Sequence, residues 1–255
     1  MSRQMIDEKV AGRPGWAPVT EARRVWSGNP AVVLWDTMVG KKVVMAATGI
    51  VLVGFVIAHM LGNLKIFLGA ETIDAYAAFL RTMGAPLSPY SGLLWVVRIV
   101  LLTCVALHIT AAVQLTRMSW AARPQSYETK ESIATTYAAR TMRWSAVILV
   151  LFVVYHLLHL TGGVVGFRPG QFRELSVYHN VVAGFSVWYV SLFYLVAMAC
   201  LCLHLDHGIW SVLQTLGWNN ARRTVTLRTL SRSLALAVFV GFMSVPVAVL
   251  AGWVR

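Results

Sequence analysis

Five long apolar runs, parted by shorter polar stretches, set the pattern of this chain. They cover residues 43–67, 92–116, 144–165, 181–205 and 234–253, and each is long enough to cross a hydrocarbon layer of about 30 Å as an α-helix. In hydrocarbon every backbone donor and acceptor needs a partner within the protein, so isolated apolar runs of this length predict helices. Residues 72–83, between the first two runs, are moderately amphipathic and too short and polar to span; they predict a short helix on the membrane surface. The expected fold class is therefore all-α: an integral membrane bundle of five transmembrane helices over 43–255, preceded by an N-terminal segment over 1–42.

Composition agrees with that pattern. Apolar residues make up 58% of the 255 and the mean hydropathy is +0.66, above the level of a soluble domain, so no separate soluble domain is expected. Cys104, Cys200 and Cys202 lie within apolar runs and read as small hydrophobes, with neither a disulfide framework nor a CxxC site. The first residues lack the charged start and unbroken apolar core of a secretory signal, so the segment 1–42, with Trp16, Trp26 and Trp35 among its prolines, is expected to stay in the cytoplasm and pack on a partner.

A net charge of +12 would raise nucleic acid as a partner in a soluble protein. Here its distribution matters more, and no nucleic acid is expected. Sixteen basic residues, among them Lys41, Lys42, Arg117, Arg143, Arg222 and Arg228, fall on one side of the five runs. Five, namely Lys65, Arg81, Arg168, Arg173 and Arg255, fall on the other. The positive-inside rule then predicts a cytoplasmic amino terminus and an outer carboxyl terminus.

Each of the first four runs contains a histidine: His59, His108, His156 and His204. Strongly polar groups at membrane depth are rare and mark function by default, and a neutral imidazole is a ready metal ligand. Depth follows from the helical rise. His59 lies 17 residues past Lys42 and His156 lies 13 past Arg143, about 25 and 20 Å from the cytoplasmic edge. His108 precedes Arg117 by 9 residues, about 14 Å, and His204 adjoins Asp206 and a segment from Trp210 to Trp218 that reads as interfacial. The histidines therefore sort into an outer pair, His59 with His156, and an inner pair, His108 with His204. Two opposed imidazoles from different helices are what bis-histidine ligation of a haem iron needs. The plain alternative is four histidines bonded to backbone carbonyls or to one another.

His159, three residues after His156, shares much of its face, and spacing alone leaves either as the ligand. The other is expected to support the site from behind, through a haem propionate or a quinone. Arg98, inside the second run, needs a counter-ion, and an outer haem propionate is the natural one; the alternative is an outward reach past Trp95. His207, one turn beyond His204, is a candidate for inner propionates or a quinone headgroup. His179 reads as a solvated surface residue. The small residues Gly54, Ala58 and Gly62 around His59, and Ala106, Ala111 and Ala112 around His108, leave room for a bulky planar group, though ordinary helix contacts explain them too.

Two stretches carry a family resemblance that covers nearly the whole chain. Residues 40–49, from Gly40-Lys41-Lys42 to Thr48-Gly49, continue to Ala58-His59-Met60-Leu61-Gly62-Asn63-Leu64. This run resembles the first helix of the di-haem cytochrome b membrane anchor of succinate dehydrogenase, the single-subunit five-helix type. Leu203-His204-Leu205-Asp206-His207-Gly208-Ile209-Trp210-Ser211, followed by Gln214-Thr215-Leu216-Gly217-Trp218, resembles that family's fourth helix and following loop. The resemblance implies two haems b, held by His59, His108, His156 and His204. It also selects His156 over His159, since relatives place that ligand about three turns after a Ser or Thr, and Ser145 to His156 is 11 residues.

The same resemblance implies membrane anchoring in a succinate:quinone oxidoreductase of the bacterial cytoplasmic membrane. Its partners would be an FAD-containing flavoprotein subunit and an iron–sulfur subunit on the cytoplasmic side, with a higher oligomer of the complex left open. The chain itself has no FAD fingerprint and no cysteine cluster for iron–sulfur centres, so succinate oxidation falls to a partner subunit. A quinone, with menaquinone expected, would be the electron acceptor, at an outer site with Trp95 and Arg98 or an inner one with Lys42, His207 and Trp210. One position departs from the family: some fumarate reductases carry a proton-relaying glutamate two residues before the inner ligand of the fourth helix, and here that residue is Cys202. The competing readings are the cytochrome b anchor of another respiratory dehydrogenase (fumarate reductase, hydrogenase or formate dehydrogenase) and a haem-free scaffold or transporter.

Overall fold

The computed structural model describes residues 29–122 and 137–255, with the backbone alone for residues 137–140. Among these residues the protein is all helix, turn and loop, with no strand. Five helices are long and apolar enough to cross a membrane. The chain is thus a multi-pass membrane protein by length and composition of its described helices. The parts of segment 1–42 ahead of residue 29, with Trp16 and Trp26, and the basic residues Arg123 and Lys130 lie outside the described residues.

Helix α1, Pro30–Asp36, is capped by Asn29, whose side chain accepts from the Ala31 N–H at 2.9 Å. Thr37 then caps the first span, α2, Met38–Asn63, by accepting from Gly40 N–H at 2.9 Å. This span therefore starts inside the segment that the sequence assigned to the N-terminal region. A tight turn, Leu64–Leu68, leads to the surface helix α3, Ala70–Thr82. The second span is α4, Gly92–Ala121, and the third is α5, Tyr137–His156, extended by a wide π-type turn over Leu157–Thr161.

The apolar run 181–205 is not one helix. It is divided between α6, Val177–Phe185, and the fourth span α7, Trp188–Thr215. The break is stabilised by the Ser191 hydroxyl, which is wholly buried and donates to Phe185 O at 2.7 Å. At its other end α7 continues through Asp206, His207 and Trp210, ten residues past the predicted boundary. The last span, α8, is Thr224–Leu250. Several hydroxyls within the spans fold back onto their own helix, as Thr103 does to Ile99 O and Thr110 to Ala106 O, which pairs them inside the protein.

Packing defines two antiparallel hairpins. α2 packs on α4, and α5 packs on α7; α2 also touches α7 along the middle, while α8 lies against α7 and α2. Among the described residues, neither α2 with α5 nor α4 with α7 is one of the packed helix pairs. One apolar core joins α3, α5, α6, α7 and α8 through Ile73, Phe152, Phe185, Tyr194 and Val245; a smaller one gathers Met60, Leu205, Ala235 and Val238. The α3 carboxylate Asp74 ties the surface layer together by accepting from Tyr178 N–H at 2.9 Å at the start of α6. Helix α4 contributes only Ala111 to the buried set and leaves many of its apolar residues exposed, among them Val96, Ile99 and Leu102.

Candidate functional site: two histidine pairs in the bundle

The helices that do not pack on each other are the ones whose histidines meet. His59 of α2 and His156 of α5 have ring centroids 5.8 Å apart, with planes at 83°. His108 of α4 and His204 of α7 have centroids 6.4 Å apart, with planes at 55°. The same two pairs follow from the depth arithmetic on the sequence. All four rings are half-buried within the chain.

Their separation can be compared with chemistry. Two imidazoles bound through Nε2 on opposite sides of one metal ion, at about 2.0 Å each, have ring centres about 6.3 Å apart. Both pairs lie within about half an ångström of that value. The donor set also fits, because in each pair one ring already engages its Nδ1 elsewhere. His108 Nδ1 is 3.2 Å from the Thr48 hydroxyl, and His156 Nδ1 is 3.2 Å from the Tyr194 hydroxyl. Nδ1 fixed by a neighbour is the usual support for an imidazole that binds metal through Nε2. His204 Nδ1 is buried and has no hydrogen-bond partner. The residues present therefore suit two bis-histidine iron centres.

Thr48 also sets the distance between the layers. It touches His108 and precedes His59 by 11 residues on the same helix, so the inner and outer pairs stand about 16 Å apart along α2.

The two hairpins repeat each other in register. Thr48, Arg98 and the ligand candidates His59 and His108 have counterparts 96 or 97 residues later in Ser145, Tyr194, His156 and His204. Thr48 and Ser145 are both buried. Thr48 and Tyr194 are the side chains that sequence reasoning overlooked as supports of the histidines. The signal available for the first was the shared spacing of 11 residues from Thr48 to His59 and from Ser145 to His156.

His159 is placed quite differently from His156. Its ring is fully buried, with Nδ1 2.9 Å from the same Tyr194 hydroxyl and Phe167 4.7 Å from its centroid. A Cβ built on Gly184 would lie 2.6 Å from His159 Nε2, and one on Gly166, at φ 78°, would lie 2.8 Å from it. Backbone thus walls off this nitrogen, and only glycine permits the approach. The wide turn after His156 carries His159 into this enclosure, away from the His59 ring.

The remaining candidates are scattered. Arg98 is half-buried, with its guanidinium 4.9 Å from the centre of the exposed Trp95 ring. Lys42 is exposed, whereas its neighbour Lys41 is buried, bonded through Nζ to Trp35 O and lying over the Trp35 ring. Trp210 is buried within α7 under Arg228, 4.4 Å from its ring centre, so it is not part of an interfacial loop. His207 is half-buried on α7. Asp206 lies 4.0 Å from Arg232, a long ion pair with no hydrogen bond to its buried Oδ1.

Two expectations need correction. His179 is not a solvated residue, since it is half-buried with Nε2 3.0 Å from Gln171 O, where the loop before α6 folds over it. Gly62 does not leave room for a planar group: a Cβ there would lie 2.9 Å from the Tyr76 ring, so its smallness serves the approach of α3.

No family model, curated protein or solved structure matches this chain.

Proposed function

We propose that this chain is the di-haem cytochrome b membrane anchor of a succinate:quinone oxidoreductase, taking electrons from an iron–sulfur subunit and delivering them to a quinone, with menaquinone expected. The observation that carries this reading is the pair of facing histidines in each of two layers, 5.8 and 6.4 Å apart, across helices that do not pack directly. The resemblance of residues 40–64 and 203–218 to the anchor family adds the identity of the partners.

His59 and His156 would hold the outer haem, and His108 and His204 the inner one. A haem held by these imidazoles would supply a one-electron carrier, suited to electron transfer rather than oxygen chemistry. The chain's own part is to present four neutral imidazoles in an apolar bundle, to orient His108 through Thr48 and His156 through Tyr194, and to offer Arg98 as a cation for an outer propionate. Charge asymmetry supports a cytoplasmic amino terminus, and the family resemblance implies a bacterial cytoplasmic membrane. The flavoprotein and iron–sulfur partners would then dock on the cytoplasmic side. Quinone would bind near Trp95 and Arg98 at the outer face, or near Lys42, His207 and Trp210 at the inner one.

The test is a reduced-minus-oxidised visible spectrum of the purified chain, with haem counted as the pyridine haemochrome. Two haems b per chain are expected; absence of b-type bands refutes the reading. Mass spectrometry of co-purifying proteins then checks the complex. A flavoprotein of a different dehydrogenase would refute the succinate assignment while leaving the haems in place.

A further inference from the structure

We infer that Tyr194 and His159 are positioning residues for the outer pair: a hydrogen-bonded relay from His156 through the Tyr194 hydroxyl to His159 fixes His156 with its proton on Nδ1 and its Nε2 free for iron. This rests on the di-haem reading above.

The relay is visible as one hydroxyl between two rings. Tyr194 Oη lies 3.2 Å from His156 Nδ1 and 2.9 Å from His159 Nδ1. A hydroxyl has one proton and can accept as well, so both contacts and its own proton are satisfied together when it accepts from one ring and donates to the other. If His156 gives its Nε2 lone pair to a metal, the neutral ring keeps its proton on Nδ1, and that N–H donates to Tyr194. Turned toward His159 Nδ1, the Tyr194 proton is then paired as well. His159 in turn carries its proton on Nε2, the nitrogen enclosed by Gly166 and Gly184 and without a hydrogen-bond partner.

Packing alone does not call for these polar groups. The Tyr194 ring is surrounded by Phe152 at 5.0 Å and Phe185 at 4.8 Å, where phenylalanine would fill the same space. His159 is a polar ring with no exposure, and its Nδ1 hydrogen-bonds the Tyr194 hydroxyl. In the other hairpin the register position of Tyr194 is occupied by Arg98, which donates but cannot accept. The acceptor therefore belongs to His156 and has no counterpart for His59 at that position. An acceptor on Nδ1 makes the imidazole a stronger electron donor, which favours the oxidised iron and lowers the potential of that haem. Donation from Tyr194 to His159 polarises the hydroxyl and strengthens the effect.

The experiment is a potentiometric titration of visible absorbance on the full chain with its co-purifying subunits, the outer haem being identified as the one lost in His59→Ala. Tyr194→Phe and His159→Leu should each shift the outer midpoint potential upward and leave the inner one unchanged. His159→Gln, whose side-chain carbonyl can still accept from Tyr194, should restore the wild-type potential. Unchanged potentials in both of the first two variants, or equal shifts at both haems, overturn the relay. If Tyr194→Phe does not retain the outer haem, the contrast between Leu and Gln at position 159 decides alone, and equal potentials there overturn it. Lack of b-type absorbance in the unmodified chain instead refutes the di-haem reading, and the relay's role with it.

Discussion

His156 and His159 show how much environment decides for one residue type. They are three positions apart and touch the same hydroxyl, yet one ring is half-buried beside His59 and the other is sealed behind glycine backbone. A metal ligand needs an accessible lone pair, so enclosure excludes His159 from that part more firmly than distance does. The residue-level prediction is about haem count. His108→Ala or His204→Ala should lower the pyridine haemochrome value from two haems per chain to one, with the outer haem retained, and His59→Ala or His156→Ala should do the reverse. His159→Gln should keep both. Two haems remaining after His204→Ala would show that the pairing is wrong.

At the level of elements, the decisive features are breaks. The wide turn after α5 and the gap between α6 and α7 bring His159, Gly184 and Tyr194 to one place. π-type turns within membrane helices are tolerated where neighbouring structure re-satisfies the backbone, and they are frequent beside functional groups. Gly184→Ala puts a methyl group 2.6 Å from His159 Nε2, an overpacking expected to cost about 1–3 kcal/mol. The expected result is a lower temperature of haem loss, followed by Soret absorbance. Gly208→Ala, on α7 with nothing within 4 Å of the added atom, should leave that temperature unchanged or raise it slightly, because alanine is the better helix former. Equal behaviour of the two variants would contradict the enclosure of His159.

For the molecule as a whole, two hairpins in the same register bring their histidines face to face across helices that are not packed pairs. Each hairpin sends one histidine to the outer layer and one to the inner layer, so each iron would be held by both halves of the chain and would join α2 to α5 and α4 to α7. Ligand binding confined to the native state stabilises it by mass action, and the apo chain should therefore be the less stable form. Topology is testable at the same scale. In a background without the native cysteines, Ser88→Cys and Gln171→Cys should react with a membrane-impermeant maleimide added to intact cells, and Asn219→Cys should react only after permeabilisation. The opposite pattern would invert the orientation.

Among the described residues, the five spans, the helix after the first of them and the two histidine pairings were legible in the sequence, since hydrocarbon imposes a length on each helix and a fixed rise converts residue number into depth. Boundaries were less so. The run 181–205 is continuous in hydropathy, and only the buried Ser191 hydroxyl on Phe185 O marks where α6 ends and α7 begins. The supports of the histidines were not legible either, because Thr48 meets His108 and Tyr194 meets His156 across helices far apart in sequence. Depth is a one-dimensional property and can be read along the chain. Which ring faces a partner ring, which is walled in and which hydroxyl stands behind it depend on rotation and packing of separate helices, and those were decided only when the bundle closed.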